Sequence, residues 1–583
     1  MKRSLEIITT GVQSFTQRFP GKRRRLDESV PQCAPWRCNL TGLSQRHNLY
    51  FVAYGAEIFV YRPQFPSQAL SEPVLVIPCR EEGPRLGYLD LRQPDCINNL
   101  LVAFLGKEEV VATVRDNGDV ETVLIRHVLQ AIQARAGKSL HNLADEVRPS
   151  FQGNVGISAW GLAIHSQARI IAVSSNNHRI TIFKFALVAS ARRMDVIEQL
   201  INGEANIPSI AFCNTGDDPR ARWLLTTDIN GVCRAIDLHK SLPVQSFRFG
   251  RQIEGIYGGG YDRLNAGWSI MFLDQRSFCK APTLHDAIGT LELPDARDNP
   301  TIWDLSKTVR GLLNHSNAFV HYQTTGKPQR ESRHPPDSDE ADVDLEIYEE
   351  VAVVDEELEE AHTDVPEMVD DFDEDDEGTE DTISATAFYG GERVCANFPR
   401  FQKSVPMCDD LPCPILHASV RNIYLLQPTQ SAHWRPPFLG IAAPLKQSIE
   451  VQHHTLNMFD RLNMSVYIAA LGVVVIASQK GRAIVLALTK LDGSAQYPAE
   501  LASLGSKTNY TMRIDAVLPF DSQEKLNQRP FSPLHGIAAS PLQGTEDLSD
   551  EKKRWRLLLM YQDQSVLSYE IARQAVVQDM VIV

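Results

Sequence analysis

Trp223-Leu224-Leu225-Thr226-Thr227, then Asp228-Ile229-Asn230-Gly231, then Val232-Cys233-Arg234-Ala235-Ile236-Asp237-Leu238: an apolar run, a tight turn and a second apolar run fill residues 223–238. β-Branched and aromatic residues fit a pleated surface, and Asn and Gly supply the positive φ of a short loop, so the stretch reads as a β-hairpin. The same texture recurs along the chain. Asn48–Tyr54 turns at Gly55-Ala56 into Glu57–Tyr61, and Glu109–Arg115 turns at Asp116-Asn117-Gly118 into Val120–Ile125. Ile170–Ser174 turns at residues 175–178 into Arg179–Phe185. Val473–Ser478 turns at Gln479-Lys480-Gly481 into Arg482–Leu488, and Leu557–Tyr561 turns at Gln562-Asp563-Gln564 into Ser565–Ile571. Two weaker pairs, Ser269–Leu273 with Phe278 and Ile415–Ser419 with Ile423–Leu426, bring the candidate hairpins to eight.

With Gly55, Asn117, Asn177 and Asn230 as markers, the hairpins repeat at intervals of 62, 60 and 53 residues. One central hairpin per four-stranded blade makes this an all-β fold, a single WD-like β-propeller of seven, alternatively eight, blades. The blades are degenerate. Strands that should close on an apolar–acidic pair end in Tyr61-Arg62, Phe183-Lys184, Ile236-Asp237 and Tyr569-Glu570, and only one of these keeps the Asp. Apolar packing between blades is therefore expected to carry most of the cohesion. The apolar end Val581-Ile582-Val583 is expected to complete a blade begun at the other end of the chain, which removes a sheet edge.

The 583 residues carry a net charge of −15, but the charge is divided unevenly. Residues 337–381 hold 24 Asp and Glu and no Lys or Arg, and the remaining 58 basic and 49 acidic residues balance to +9. Self-repulsion and scarce apolar area predict that an insertion over 327–392 is disordered. Inside it, Ile347 and Tyr348 lie in an apolar island, and Asp373, Glu374, Asp375 and Asp376 form the densest acidic block; these are the candidate interaction residues. The expected organisation is a disordered basic tail (1–36), the first part of the propeller (37–326), the acidic insertion (327–392) and the second part of the propeller (393–583).

In the tail, Lys22, Arg23, Arg24 and Arg25 form a basic block that suits the acidic groove of a nuclear import receptor. This points to the nucleus, with the cytoplasm as a second compartment. The residues before it have some mitochondrial-presequence character, weakened by Glu6 and Pro20. No apolar run approaches the ~20 residues of a membrane span. Ten scattered cysteines include no CxxC pair, and Cys33/Cys38 and Cys408/Cys413 lack a matching His pair, so the thiols read as reduced and structural.

No GxxxxGK[ST], HExxH or GxSxG motif occurs, and His165 and His417 fall in strand patterns where a structural histidine is expected. The run Lys552-Lys553-Arg554-Trp555-Arg556 reads as a solvated loop before a strand, and direct nucleic-acid binding is not expected. No cofactor, metal or catalytic residue is expected, so the reading is an interaction scaffold rather than an enzyme.

Ser158-Ala159-Trp160-Gly161-Leu162-Ala163-Ile164-His165 with Ala168–Ser174 resembles a signature of the fungal Crt-ten family, named for constitutive ribonucleotide-reductase transcription. Asn206–Phe212 with Leu224–Gly231 is similar to a second stretch of it. The resemblance implies a WD-like propeller in the nucleus, linked to transcription of ribonucleotide-reductase genes and to the DNA-damage response. It also implies protein partners: transcription regulators, or the linker subunits of a cullin-type ubiquitin ligase for which the chain is a substrate receptor. A separate reading, from charge alone, makes the acidic tract a binder of histones or other basic proteins.

Overall fold

The computed structural model describes residues 5–18, 36–79, 87–91, 93–134, 147–185, 196–248, 266–289, 302–305, 400–401, 411–420, 422–426, 438–441, 444–445, 461–491, 510–530, 532–545, 547–549 and 552–573. They form seven sheets, each built on four antiparallel strands, here called a to d. Blade 1 is Thr41–Leu43, Tyr50–Tyr54, Glu57–Tyr61 and Leu75–Ile77; blade 2 is Ile97–Leu105, Glu108–Arg115, Asp119–Leu124 and Phe151–Asn154. Blade 3 is Ala159–His165, Ile170–Ser175, Arg179–Phe185 and Val196–Asn202; blade 4 is Ser209–Phe212, Trp223–Thr227, Val232–Asp237 and Leu242–Arg248. Blade 5 is Gly267–Phe272, Ile415–Ser419, Ile423–Leu426 and Phe438–Ile441; blade 6 is Met464–Ile468, Val473–Ser478, Arg482–Leu491 and Tyr510–Leu518. Blade 7 takes strands a to c from Leu534–Pro541, Trp555–Tyr561 and Val566–Arg573, and strand d from Leu5–Gln13.

Strand a of every blade contacts strand a of the next, and blade 7 meets blade 1, so the seven sheets close a ring with their first strands on the axis. A separate apolar cluster fills each of the seven gaps between neighbours. Strand b of blade 6 shows why its sequence is continuously apolar. Val474 and Ile476 pack toward blade 5, while Val473, Val475 and Ala477 pack toward blade 7. Side chains alternate across a strand, so a strand sandwiched between two sheets buries both sets.

The six strong hairpins of the sequence are strands b and c of blades 1, 2, 3, 4, 6 and 7, and Asn117, Asn177, Asn230 and Gly481 lie in the turns between them. The positive φ expected of Gly or Asn falls on Gly118 and Gly231 in two of these turns, and on His178 in a third. Asn117 and Asn177 instead brace their turns, their side-chain carbonyls accepting the N–H of Asp119 and Arg179.

Three expectations need correction. Leu5–Gln13 does not belong to a disordered tail: it pairs with Val566–Arg573, from Leu5↔Arg573 to Gln13↔Val566, with a bulge between Thr9 and Gly11. Leu5 is buried in the core between blades 6 and 7, and Ile7 and Val12 pack against it. The ring is therefore closed by the amino end of the chain, whereas residues 574–583, expected to close it, lie outside the described residues. Next, Ile415–Ser419 with Ile423–Leu426 is a hairpin, strands b and c of blade 5, but Ser269–Leu273 with Phe278 is not a second one. Gly267–Phe272 is strand a of that same blade, joined to strand b by the connection 273–414, which contains the acidic insertion. Eight candidate hairpins thus reduce to seven blades. Trp303-Asp304 lies in an added edge strand of blade 5, Ile302–Asp304, parallel to its strand d. Finally, Arg556 is not solvated: it is buried between blades 7 and 1, with its guanidinium donating to Ser540 Oγ, Asn48 Oδ1 and Gln68 Oε1.

Candidate interaction site at the channel mouth

Register decides which strand ends share a face. The start of strand a lies opposite the end of strand b, as in Ile97↔Arg115, Ala159↔Ser175, Ser209↔Thr227, Gly267↔Ser419 and Met464↔Ala477. The b–c turns and the approaches to strand a therefore gather on one face, and the a–b connections on the other. Because strand a lines the axis, the first face holds one mouth of the channel.

Part of that mouth is a polar seal. Arg37, buried, donates from Nε to Asn98 Oδ1 (2.9 Å) and from Nη2 to Asp90 Oδ2 (2.9 Å). Its carbonyl accepts from Gln479 Nε2 in the b–c turn of blade 6, 3.2 Å away. Asn98 continues the network into blade 3, donating to Ser158 Oγ (3.2 Å) and the Ala159 carbonyl (3.0 Å). Ser158 in turn donates to Asp116 Oδ1 at 2.6 Å. Asp116 Oδ2 accepts the backbone N–H groups of Leu89 and Asp90, so its buried carboxylate is well supplied with donors.

Beside this seal, blades 3, 4 and 5 bring together an apolar cluster. Ala266, Trp268 and Val420 are buried, and half-buried Trp160 and Ile229 pack against them. The Arg461 guanidinium, at the approach to blade 6, lies over the Trp268 ring, 4.3 Å from its centroid. Trp160 Nε1 donates to Ser158 Oγ at 3.0 Å and so ties the cluster to the polar seal. Ile229 is set by the turn it belongs to. Asp228, buried, accepts the N–H of Asn230 and Val232 and is paired with Arg234 at 2.8 Å. Burial pushes this carboxyl above its usual value, and those donors act against the shift. Gly267 makes the approach of blade 5 possible, because a Cβ there would overlap the Thr227 side chain.

The histidines serve the frame. His165 Nε2 hydrogen-bonds the Asp218 carbonyl at 2.9 Å, and His535 Nε2 the Ala53 carbonyl at 2.7 Å. His417 is buried beside Cys233, with 3.5 Å between Nδ1 and Sγ. Among the described residues no three His, Cys, Asp or Glu side chains are placed to hold a metal ion, and no helix is long and apolar enough to cross a membrane. Lys22, Arg23, Arg24 and Arg25, and Ile347, Tyr348 and Asp373–Asp376, lie outside the described residues.

Sequence reading missed the mouth. Trp160, Ile229, Trp268 and Arg461 come from different blades, and spacing along the chain does not show that they converge. It also missed the buried turn acids Asp116, Asp228 and Asp563. All three sit after strand b, whereas the acid was sought at the end of strand c; Asp228 and Asp563 brace their own b–c turns, and Asp116 reaches across to Leu89, Asp90 and Ser158. The triplets Arg115-Asp116-Asn117 and Thr227-Asp228-Ile229 carried that signal.

No protein-family model matches the chain. It is 28% identical over 144 residues to a WD40 repeat-containing protein of Dictyostelium discoideum, a match covering 25% of this chain and 18% of that protein. The solved mitotic checkpoint complex contains a chain similar in structure at 7% identity and a TM-score of 0.39, with 98% of this chain and 93% of that one covered. With seven four-stranded blades closed in a ring, the chain is a seven-bladed β-propeller, similar over a quarter of its length to a WD40 repeat protein.

Proposed function

We propose that this propeller is a non-catalytic scaffold of the nucleus, whose protein partner seats an apolar anchor on Trp160 and Ile229 at the channel mouth. The observation that carries the reading is the Trp160–Ile229–Trp268–Val420 cluster with Arg461 beside it. Half-buried aromatic and aliphatic groups on a rigid base, flanked by a cation, form the kind of pocket in which binding energy concentrates. The finer role follows from the resemblance to the Crt-ten family: regulation of ribonucleotide-reductase genes and of the response to DNA damage, the partners being transcription regulators or cullin-type ligase linker subunits.

A second reading is favoured by the tract with 24 acids and no cation in residues 337–381. It attracts histones or other basic proteins over long range, and salt weakens it steeply. Affinity capture from nuclear extract separates the two readings, using the intact chain, a W160A/I229A variant and a chain lacking 337–381. The mouth reading expects W160A/I229A to lose its partner by on the order of tenfold or more, with little dependence on salt. The tract reading expects the deletion to lose partners, selectively in low salt. Deleting 337–381 should leave the melting temperature within a few degrees in either case, because a segment of 24 acids and no cation repels itself and offers little apolar area to bury.

Compartment is a separate test. Replacing Lys22, Arg23, Arg24 and Arg25 together with Ala should leave the protein cytoplasmic with its thermal transition unchanged. Nuclear accumulation of that variant would move the import signal elsewhere, and mitochondrial accumulation of the unaltered chain would overturn the nuclear assignment.

A further inference from the structure

On the face opposite the mouth, two cysteines 200 residues apart in sequence come together. Cys213 follows strand a of blade 4, and Cys413 stands two residues before strand b of blade 5, where the long 273–414 connection returns to the ring. Their sulfurs are 3.8 Å apart, and both residues are buried and reduced. The surroundings are polar rather than inert. Thr215 Oγ1 lies 3.2 Å from the Cys213 sulfur and 3.3 Å from the Cys413 sulfur, and Asp217 Oδ2 lies 3.6 Å from Cys413. Asp217 and its ion-pair partner Arg276, at 3.2 Å, are exposed, so solvent reaches the rim of the pair.

We propose that Cys213 and Cys413 are a reversible, peroxide-sensitive dithiol whose disulfide staples the returning limb of the blade 5 connection to blade 4. Closing to a bond of about 2.05 Å needs a small side-chain movement of two groups already in contact. The two thiols are electrically unequal. The Cys413 and Thr215 groups around Cys213 draw its thiol below the ordinary value, against the effect of burial. Cys413 is pushed the other way by Cys213, by burial and by the Asp217 charge, so it keeps its proton.

The chemistry follows from that order. The Cys213 thiolate attacks one oxygen of hydrogen peroxide, the O–O bond breaks, and the departing hydroxide takes a proton to become water, leaving a sulfenic acid. The Cys413 sulfur then attacks the Cys213 sulfur. The sulfenic hydroxyl leaves as a second water, carrying the Cys413 proton, and the S–S bond forms. Two thiols have lost two electrons and one peroxide has become two waters.

The bond would tie residues that enclose about 200 positions of chain. A loop of that size gains much from closure in the chain-entropy picture, so a rise in melting temperature of roughly 5 °C or more is expected. The test uses the full chain, reduced, exposed to hydrogen peroxide, alkylated and digested without reductant. The expected product is one linked Cys213–Cys413 peptide pair, two hydrogens lighter than the separate reduced peptides and released by dithiothreitol. C213S and C413S should each abolish both the link and the thermal shift. A Cys408–Cys413 link, a sulfinic acid on Cys213 with Cys413 still alkylated, or both thiols unreacted would each overturn the proposal. These readouts on the unaltered chain decide it even if a serine variant fails to fold.

Discussion

A chain lacking residues 1–14 should melt on the order of 10 °C lower than the full protein and aggregate on warming. Those residues contain strand d of blade 7, and removing them uncovers the hydrogen-bonding edge of Val566–Arg573. They also withdraw Leu5, Ile7 and Val12 from the core shared by blades 6 and 7. Three such side chains contribute several kcal/mol together, at about 1.5–3 kcal/mol for each one fully buried and less for the two that are partly buried. For a domain of this size each kcal/mol shifts the midpoint by about 1–2 °C, and the ladder hydrogen bonds lost with the strand add to the shift. The open edge then pairs with other molecules, which turns lost stability into aggregation. Within the full chain, I7D should reproduce part of the loss, because Ile7 lies opposite Ile571 and its carboxylate would enter apolar surroundings. Scanning calorimetry and light scattering measure both effects. A truncated chain that melts with the parent would show that the amino-terminal strand does not hold the ring closed.

The second large effect is loss of stability in mild acid. Burial lowers His417 to about 3 and His535 to about 4, because a charged imidazole cannot be solvated between blades. The folded values lie below the unfolded value of about 6.5, so both residues are neutral in the fold. The stability linked to them is present above about pH 6.5 and is lost as pH falls. Each costs about 1.4 kcal/mol per pH unit below that point, and at pH 5 the two together cost about 4 kcal/mol. His165, lowered by burial and partly held up by the Asp218 carbonyl, acts in the same direction, and Asp228, raised by burial, acts against it. Denaturant melts between pH 7 and pH 5 should show this slope, and H535Q should flatten it. Stability constant over that range would mean that these histidines already exchange protons in the fold.

The parts of the fold legible in the sequence were those under the strictest physical constraint. Strands b and c are pressed between neighbouring sheets, so Val473–Ser478 and Arg482–Leu488 read as apolar runs split by a turn. Outer strands are less constrained, and Phe151–Asn154, partly exposed, carries no period that marks it. Leu5–Gln13 did have a signal, in Leu5, Ile7 and Val12, but the basic block after it dominated the reading of the amino end. Blade 5 was miscounted because its strands a and b are separated by residues 273–414, far beyond any hairpin loop. The mouth was the least legible part. Trp160 was visible as a residue, but its meeting with Ile229 and Trp268 is set by ring closure, which puts the starts of successive inner strands side by side.

Hydrogen exchange on the propeller with its captured partner bound tests the central claim most directly. The account predicts protection concentrated in peptides covering Ser158–Trp160, Asp228–Asn230, Ala266–Trp268 and Arg461–Asn463, which converge on the mouth. Peptides from the opposite face, such as Ser166–Arg169 and Asn214–Asp217, should exchange as in the free protein. Protection confined to that opposite face, with the mouth peptides unchanged, would contradict it.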